Sequence, residues 1–307
     1  MTAEPTTLLA IGEALIDVVK RDGGEVRHPG GSPMNVAIGA SRLGVPSMLS
    51  TRFGGDSDGD LIADHTAGSD VRLTAGSRGA ARTSTATATI GADGAASYVF
   101  DIEWDWQDDI DVIPAAVHTG SIGAVLSPGG ANVLRTIERL RATSLVTYDP
   151  NSRPALMGER ADAVAIVEQY VHLADVVKAS DEDLEWLYPD RTPVETARTW
   201  SRMGPALVIV TAGGHGATVA TSDESVTEHA APRVDVVDTI GAGDSFMAGF
   251  IGSLYHRGML GVEHRGALHS LTDEVLHAIV SEALACAAIT VQRAGANPPR
   301  LSDVSFG

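Results

Sequence analysis

Short apolar, β-branched runs alternate along this chain with stretches patterned like amphipathic helices, and that alternation constrains the fold more than any other feature. Strand-like runs stand at residues 8–19, 47–51, 116–122, 144–148, 175–177 and 206–210, and segments such as ANVLRTIERLRA and ADAVAIVEQYVH between them carry helical spacing. A helix opening at Asn35 meets its stop at Gly44, with Pro46 just beyond. Parallel strands need a crossover between them, usually a helix, so the pattern predicts an α/β protein with a mostly parallel central sheet and helices on both faces. The rhythm breaks at RTSTATATIGADGAASYVFD, where threonine alternates with small residues around Asp93-Gly94, a strong hairpin signal. This antiparallel pair, with the strand and loop between Asp17 and Gly30, predicts a small sheet projecting from the main body.

The 307 residues, 44% hydrophobic and 20% charged, fit one large globular α/β domain. No run reaches the roughly 20 consecutive apolar residues that span a bilayer, and the N-terminus lacks a basic stretch ahead of its first apolar run. A cytoplasmic protein without a membrane partner is expected. The single cysteine, Cys286, excludes a disulfide framework and a multi-thiolate zinc site. With 40 acids against 22 bases the net charge is −18, a field that repels polyanions, so no nucleic-acid partner is expected. Lys20 and Lys178 are the only lysines and there is no G-x-x-x-x-G-K-[ST] loop. Phosphate chemistry therefore falls to backbone amides, arginine or a bound metal.

Two segments carry candidate chemistry. In the first, a short strand, RVDVV, runs through Asp238-Thr239-Ile240 into Gly241-Ala242-Gly243-Asp244-Ser245-Phe246 and an apolar helix, which puts the amides of Gly241 to Asp244 at a helix N-terminus and makes an anion site. Asp244 would lie beside the anion, or would merely cap the helix. A dinucleotide fingerprint fails because Phe246 stands where G-x-G-x-x-G needs glycine. In the second, Gly30-Gly31-Ser32-Pro33-Met34-Asn35 opens the first helix, and Asp17 with Asn35 offers the acceptor and mixed donor that suit vicinal hydroxyls, or else forms a turn and cap.

The pairing of GGSPMN near the start with DTIGAGDSF near the end resembles the two signatures of the ribokinase-like (PfkB) family of carbohydrate kinases. GEALID at Gly12 to Asp17, YDPNSR at Tyr148 to Arg153, KASDEDL from Lys178, TAGGHGA from Thr211 and RAGANPPR from Arg293 extend the likeness, and the first three are most similar to fructokinases. The resemblance implies a ribokinase-like fold over residues 1–307, a small antiparallel β lid built from segments about 14–31 and 80–107, a sugar between lid and core, and ATP along the carboxyl ends of the core strands. It implies Asp244 as catalytic base and Gly241, Ala242 and Gly243 as the anion hole. Asp17, Gly31, Asn35 and Arg153 match sugar-side positions, while Phe100, Trp104 and Trp106 would shield the sugar or make the lid's apolar face or a partner contact. Asn151, Lys178, Thr211, Gly213, Gly216 and Gly243 match the nucleotide side, where His215 would meet base or ribose.

Mg²⁺ on the phosphates and a K⁺ held by backbone carbonyls of Asp238, Ile240, Thr290, Arg293 and Gly295 are the implied ions. The family's N-x-x-E is replaced by Ser180 and Asp183, which puts their direct use in doubt, and Asp181, Glu182 and Glu185 read equally as an exposed first-turn cluster. The implied activity is transfer of the γ-phosphoryl group to the 6-hydroxyl of D-fructose. 2-Keto-3-deoxygluconate kinase, or another ribokinase-family sugar kinase, is the alternative. A catalytically silent sugar- or nucleotide-binding regulator is the rival of a different class, and the intact Gly-Ala-Gly turn beside Asp244 counts against it. A two-stranded projection is marginal alone, so a homodimer through the lid is expected.

Overall fold

The computed structural model describes residues 7–21, 24–90 and 96–307. From β1 (Leu8–Ile11) the chain leaves through β2 (Leu15–Arg21) and β3 (Gly24–Gly30), then returns by α1 (Ser32–Arg42) to β4 (Ser47–Ser50), α2 (Ser57–Ala67) and β5 (Arg72–Leu73). A second excursion, β6 (Thr85–Ile90) and β7 (Ala96–Asp101), precedes β8 (Ala116–Gly120), α3 (Ser121–Val125), α4 (Gly129–Leu140) and β9 (Leu145–Asp149). There follow α5 (Arg160–Leu173), β10 (Val176–Ser180), α6 (Asp181–Leu187), α7 (Pro193–Ser201), β11 (Leu207–Thr211) and the hairpin β12 (Ala217–Thr221) and β13 (Val226–His229). The last helices are α8 (Ala242–His256), α9 (Arg265–Leu268) and α10 (Asp273–Val291).

The main sheet has nine strands in the order β13-β12-β11-β10-β9-β8-β1-β4-β5. It is parallel from β11 to β5, and only the β12–β13 hairpin at one edge is antiparallel. Its inner strands are buried on both faces, as the continuous apolar runs require. Tyr148, Tyr170, Trp200 and Val208 fill one face; Phe246, Phe250, Leu276 and Ile209 fill the other. The small sheet has the order β3-β2-β6-β7, with β2 and β6 parallel and both outer pairs antiparallel. Its outer pair keeps the predicted hairpin register from Thr85↔Asp101 to Ile90↔Ala96; the Asp93-Gly94 turn lies outside the described residues.

Two expectations are corrected. The run at residues 8–19 is two strands in different sheets, because the Gly12 amide donates to Ser50 O at the end of the main-sheet pairing and the chain then turns outward. RVDVV forms no strand: the amides of Val237 and Asp238 both donate to Val291 O at the end of α10. Helix α10, 19 residues with a mean hydropathy of 1.6 in its most apolar window, is long and apolar enough on those grounds to cross a bilayer. It instead packs on α8, burying Leu276, Ile279, Val280, Ala283 and Leu284 in the core.

Candidate active site

The glycine turn places its carboxylate where the sequence expects it. Gly241 is the N-cap of α8 with φ 76°, a left-handed backbone that favours glycine, and no side chain caps the first turn. No side chain accepts from the amides of that turn, but the Ala242 amide, expected in the anion hole, donates instead to Thr239 O at 3.2 Å. Asp244 stands in the same turn, 7% exposed. Its Oδ1 accepts from Ser32 Oγ at 2.6 Å and its Oδ2 from Asn35 Nδ2 at 2.8 Å. Two motifs 212 residues apart thus meet at one carboxylate. An aspartate acting only as a cap would bond its own first-turn amides; this one is gripped by another helix.

A buried ion pair lies beneath the turn. Lys178 Nζ is 3.0 Å from Asp149 Oδ2, with both side chains almost fully buried, and a Cβ on Gly243 would fall 2.7 Å from that ammonium. Burial alone would drive the Lys178 pKa down, and the nearby charges of Asp149, Asp183 and Asp244 reverse this and hold it above its ordinary value. Burial pushes Asp149 up in turn, against the pull of Lys178. Asp183 accepts from the Ser152 amide at 2.6 Å and the Ser180 amide at 2.9 Å, completing a capping box at α6. It is therefore buried and structural toward the loop, while Asp181, Glu182 and Glu185 lie near the surface. That loop carries Asn151, whose Oδ1 accepts from Arg153 Nη1 at 2.7 Å.

Asp17 lies on β2 in a row running His28, Asp17, Ala86, Phe100 across the small sheet, so Phe100 shares its face. Partial desolvation raises the Asp17 pKa, opposed by the charges of Arg153 and His28, which brings Arg153 electrostatically to the sugar-side residues. Gly31 immediately precedes α1, whose first turn carries Asn35. Trp104 departs from expectation. The small sheet ends at Asp101, and the chain returns to the core, where Trp104 is 4% exposed and donates its indole N–H to Gly123 O at 2.9 Å. Trp106 is buried with it and donates to Ser50 Oγ. Packing claims both rings, which leaves Phe100, of these three aromatics, on the Asp17 face.

On the nucleotide side, Thr211 ends β11, Gly213 and Gly216 form the turn into β12, and His215 is exposed between them. The proposed cation segments also meet: the Asp238 carboxylate accepts from the amides of Ile240 and Gly295, and the Asp238 amide donates to Val291 O, beside Thr290 and Arg293. Thr290 fits least as a carbonyl ligand, since its oxygen already accepts from the amides of Gln292 and Arg293.

Residues 5–303 match the pfkB family of carbohydrate kinases. The chain belongs to that family. It is 33% identical to a fructokinase of Rhizobium leguminosarum bv. trifolii over 264 residues, covering 80% of this chain and 79% of that one. It is 30% identical to a fructokinase of Salmonella typhimurium over 260 residues, covering 81% and 84%. Among solved structures, a Vibrio cholerae O395 fructokinase double mutant with fructose, ADP and potassium bound superposes with a TM-score of 0.79 at 26% identity, over 96% of this chain and 95% of that one.

The structure also brings near the site residues that the sequence does not single out. Ser32 sits inside a quoted motif, yet its bond to Asp244 leaves no local signature. Asp149 and Glu13 lie in the quoted YDPNSR and GEALID stretches, where only their neighbours drew notice. His118, buried in β8 with Nδ1 on Thr147 Oγ1, is held neutral by burial and by the charge of Lys178, which lower its pKa to about 3.

Proposed function

We propose that this chain transfers the γ-phosphoryl group of ATP to the 6-hydroxyl of D-fructose. The observation that carries the proposal is Asp244, held at the uncapped start of α8 by Ser32 and Asn35 of the sugar-side segment. Kinship with fructokinases at 30–33% identity supports fructose as the acceptor.

In this reading Asp244 accepts the proton of the attacking hydroxyl, and the amides of Gly241 and Gly243 face charge accumulating on the phosphoryl group, while the Ala242 amide is engaged by Thr239 O. Lys178, directly behind that turn, adds a fixed positive charge at its back. Phosphoryl transfer asks mainly for alignment and electrostatic stabilisation, which these groups supply. Asp17, Arg153 and Phe100 orient the sugar under the small sheet, which acts as a lid excluding water. Asn151, Thr211, Gly213 and Gly216 line the nucleotide side.

A divalent ion carried on the nucleotide would find a polar group in the Asn151 loop, where the buried Ser152 hydroxyl has no hydrogen-bond partner among the described residues. Magnesium bound there would neutralise charge on the β- and γ-phosphates. The joined 238–240 and 291–295 segments support a potassium site behind the anion turn. Exposed Val26 and Val99 on the small sheet support a homodimer formed through the lids.

A coupled ADP-release assay across fructose, ribose, 2-keto-3-deoxygluconate, tagatose and adenosine, with and without potassium, tests the proposal. Saturable turnover with fructose well above the others is expected. Turnover with another sugar in its place would overturn the acceptor, and none with any would overturn the activity.

A further inference from the structure

The GEALID stretch holds a carboxylate that the phosphoryl-transfer site leaves unused. Glu13 is 5% exposed. Its Oε2 accepts from the Gly123 amide at 2.9 Å and its Oε1 from the Ser32 amide at 3.3 Å. Burial pushes its pKa up to about 7, although bonds from the main chain and from Ser121 pull the other way. A carboxylate kept where it is this costly to ionise calls for a structural reason.

Its position supplies one. The chain crosses from the main sheet to the small sheet between β1 and β2, at Glu13, and comes back at Gly31 and Ser32, between β3 and α1. The two crossings touch: a Cβ on Gly31 would fall 2.3 Å from the Glu13 carbonyl oxygen. Gly123, in α3, belongs to the main body, so one carboxyl ties outgoing chain, returning chain and core together. From Ser32 the contacts run one step further, since its amide is held by Glu13 and its hydroxyl holds Asp244 Oδ1.

We infer that Glu13 is a positioning residue for the base: by fixing the Ser32 main chain at the root of the small sheet, it sets the direction of the Ser32 hydroxyl and through it the Asp244 carboxylate. The seating of the small sheet over a sugar is thereby registered at the base. The inference rests on the sugar-kinase reading above and adds to it a link between lid and chemistry.

The test is a double-mutant cycle with Glu13→Gln and Ser32→Ala. Glutamine keeps the size of Glu13 but offers one acceptor where two N–H groups converge, so one amide is left facing a donor. Glu13→Gln is expected to lower kcat roughly 10- to 100-fold, the scale of a misplaced reacting group, with the KM for ATP within about twofold. Ser32→Ala should lose a comparable factor, and the double variant no more than the larger single loss. Multiplying losses, an unchanged kcat per folded molecule, or a loss confined to ATP binding or thermal stability would each overturn the inference. If Glu13→Gln does not fold, Glu13→Asp, which keeps the charge and shortens the reach, takes its place in the cycle. The ¹³C resonance of the Asp244 carboxyl, assigned by its disappearance in Asp244→Asn, gives a second readout. It should move in the Glu13 variant, and an unmoved signal overturns the link. If the wild-type chain turns over no sugar, the proposed function fails and the resonance still decides this inference.

Discussion

Replacing Asp244 by asparagine and by alanine separates its chemistry from its place in the fold. In Asp244→Ala the Ser32 hydroxyl and the Asn35 amide lose their acceptors in a site where Asp244 is 7% exposed. Each orphaned donor costs about 1–3 kcal/mol, so a loss of about 2–6 kcal/mol is expected. At roughly 2 °C per kcal/mol for a chain of this size, Tm should fall about 4–12 °C. Asparagine behaves differently. Its Oδ1 can take the bond from Asn35, and its Nδ2 can donate to Ser32 Oγ, which reverses its role because a hydroxyl both donates and accepts. Both bonds survive, so Tm should stay within about 2 °C of wild type. Turnover, in contrast, should fall about 10²–10⁴-fold in both variants, because neither side chain can take the proton. Scanning calorimetry and a coupled ADP-release assay read the two quantities on the same samples. Asp244→Asn turnover within about tenfold of wild type would refute the base assignment, and a Tm as low as that of the alanine variant would refute the hydrogen-bond argument.

Gly243→Ala puts a methyl group 2.7 Å from Lys178 Nζ, so the ammonium must shift while it is held by a 3.0 Å bond to buried Asp149. Turnover should drop roughly 10- to 100-fold, and an alanine variant as active as wild type would show that the pair is looser than drawn. Glu13 titrates near 7 in the fold against 4.5 unfolded. The folded chain therefore keeps a proton that the unfolded chain releases, so this group disfavours the fold increasingly from pH 4.5 to 7 and levels off above. The stability of Glu13→Gln relative to wild type should accordingly rise by about 2–3 kcal/mol between pH 5 and 8, whatever its constant offset, and a pH-independent difference from urea melts would contradict the burial argument. Trp104→Phe removes the indole bond to Gly123 O, so it should lower Tm while leaving the KM for sugar unchanged; a raised KM would return the ring to the sugar site. Val26→Lys, at an exposed position of the small sheet, should convert a lid-paired dimer to monomer in sedimentation equilibrium, and an unchanged mass would place any dimer elsewhere.

The glycine turn at the start of α8 and the parallel sheet are legible in the sequence because local rules suffice for them. A glycine turn running into an apolar helix specifies an N-terminus wherever it occurs, and continuous apolar runs specify strands buried on both faces. What escaped were relations between distant segments. Nothing near Ser32 announces that its hydroxyl meets a carboxylate 212 residues later, and nothing near Lys178 announces that Gly243 will rest against it. Trp104 leaves the sugar side for the same reason: it follows the hairpin closely in sequence, but the chain turns inward after Asp101 and buries it with Trp106. Periodicity likewise merged β1 with β2, since an apolar run does not reveal that hydrogen-bonding partners change midway.

The small sheet is sewn along β2 and β6, a parallel seam between two excursions of the chain that reaches to its root, where the Ile16 amide donates to Ser84 O. Each excursion alone is a two-stranded ribbon, marginal in water. The seam closes only once the main sheet has brought both roots together, so non-local topology makes it a late event in folding. Deleting either excursion should therefore leave the surviving ribbon without its partner and frayed, even where its own sequence is untouched.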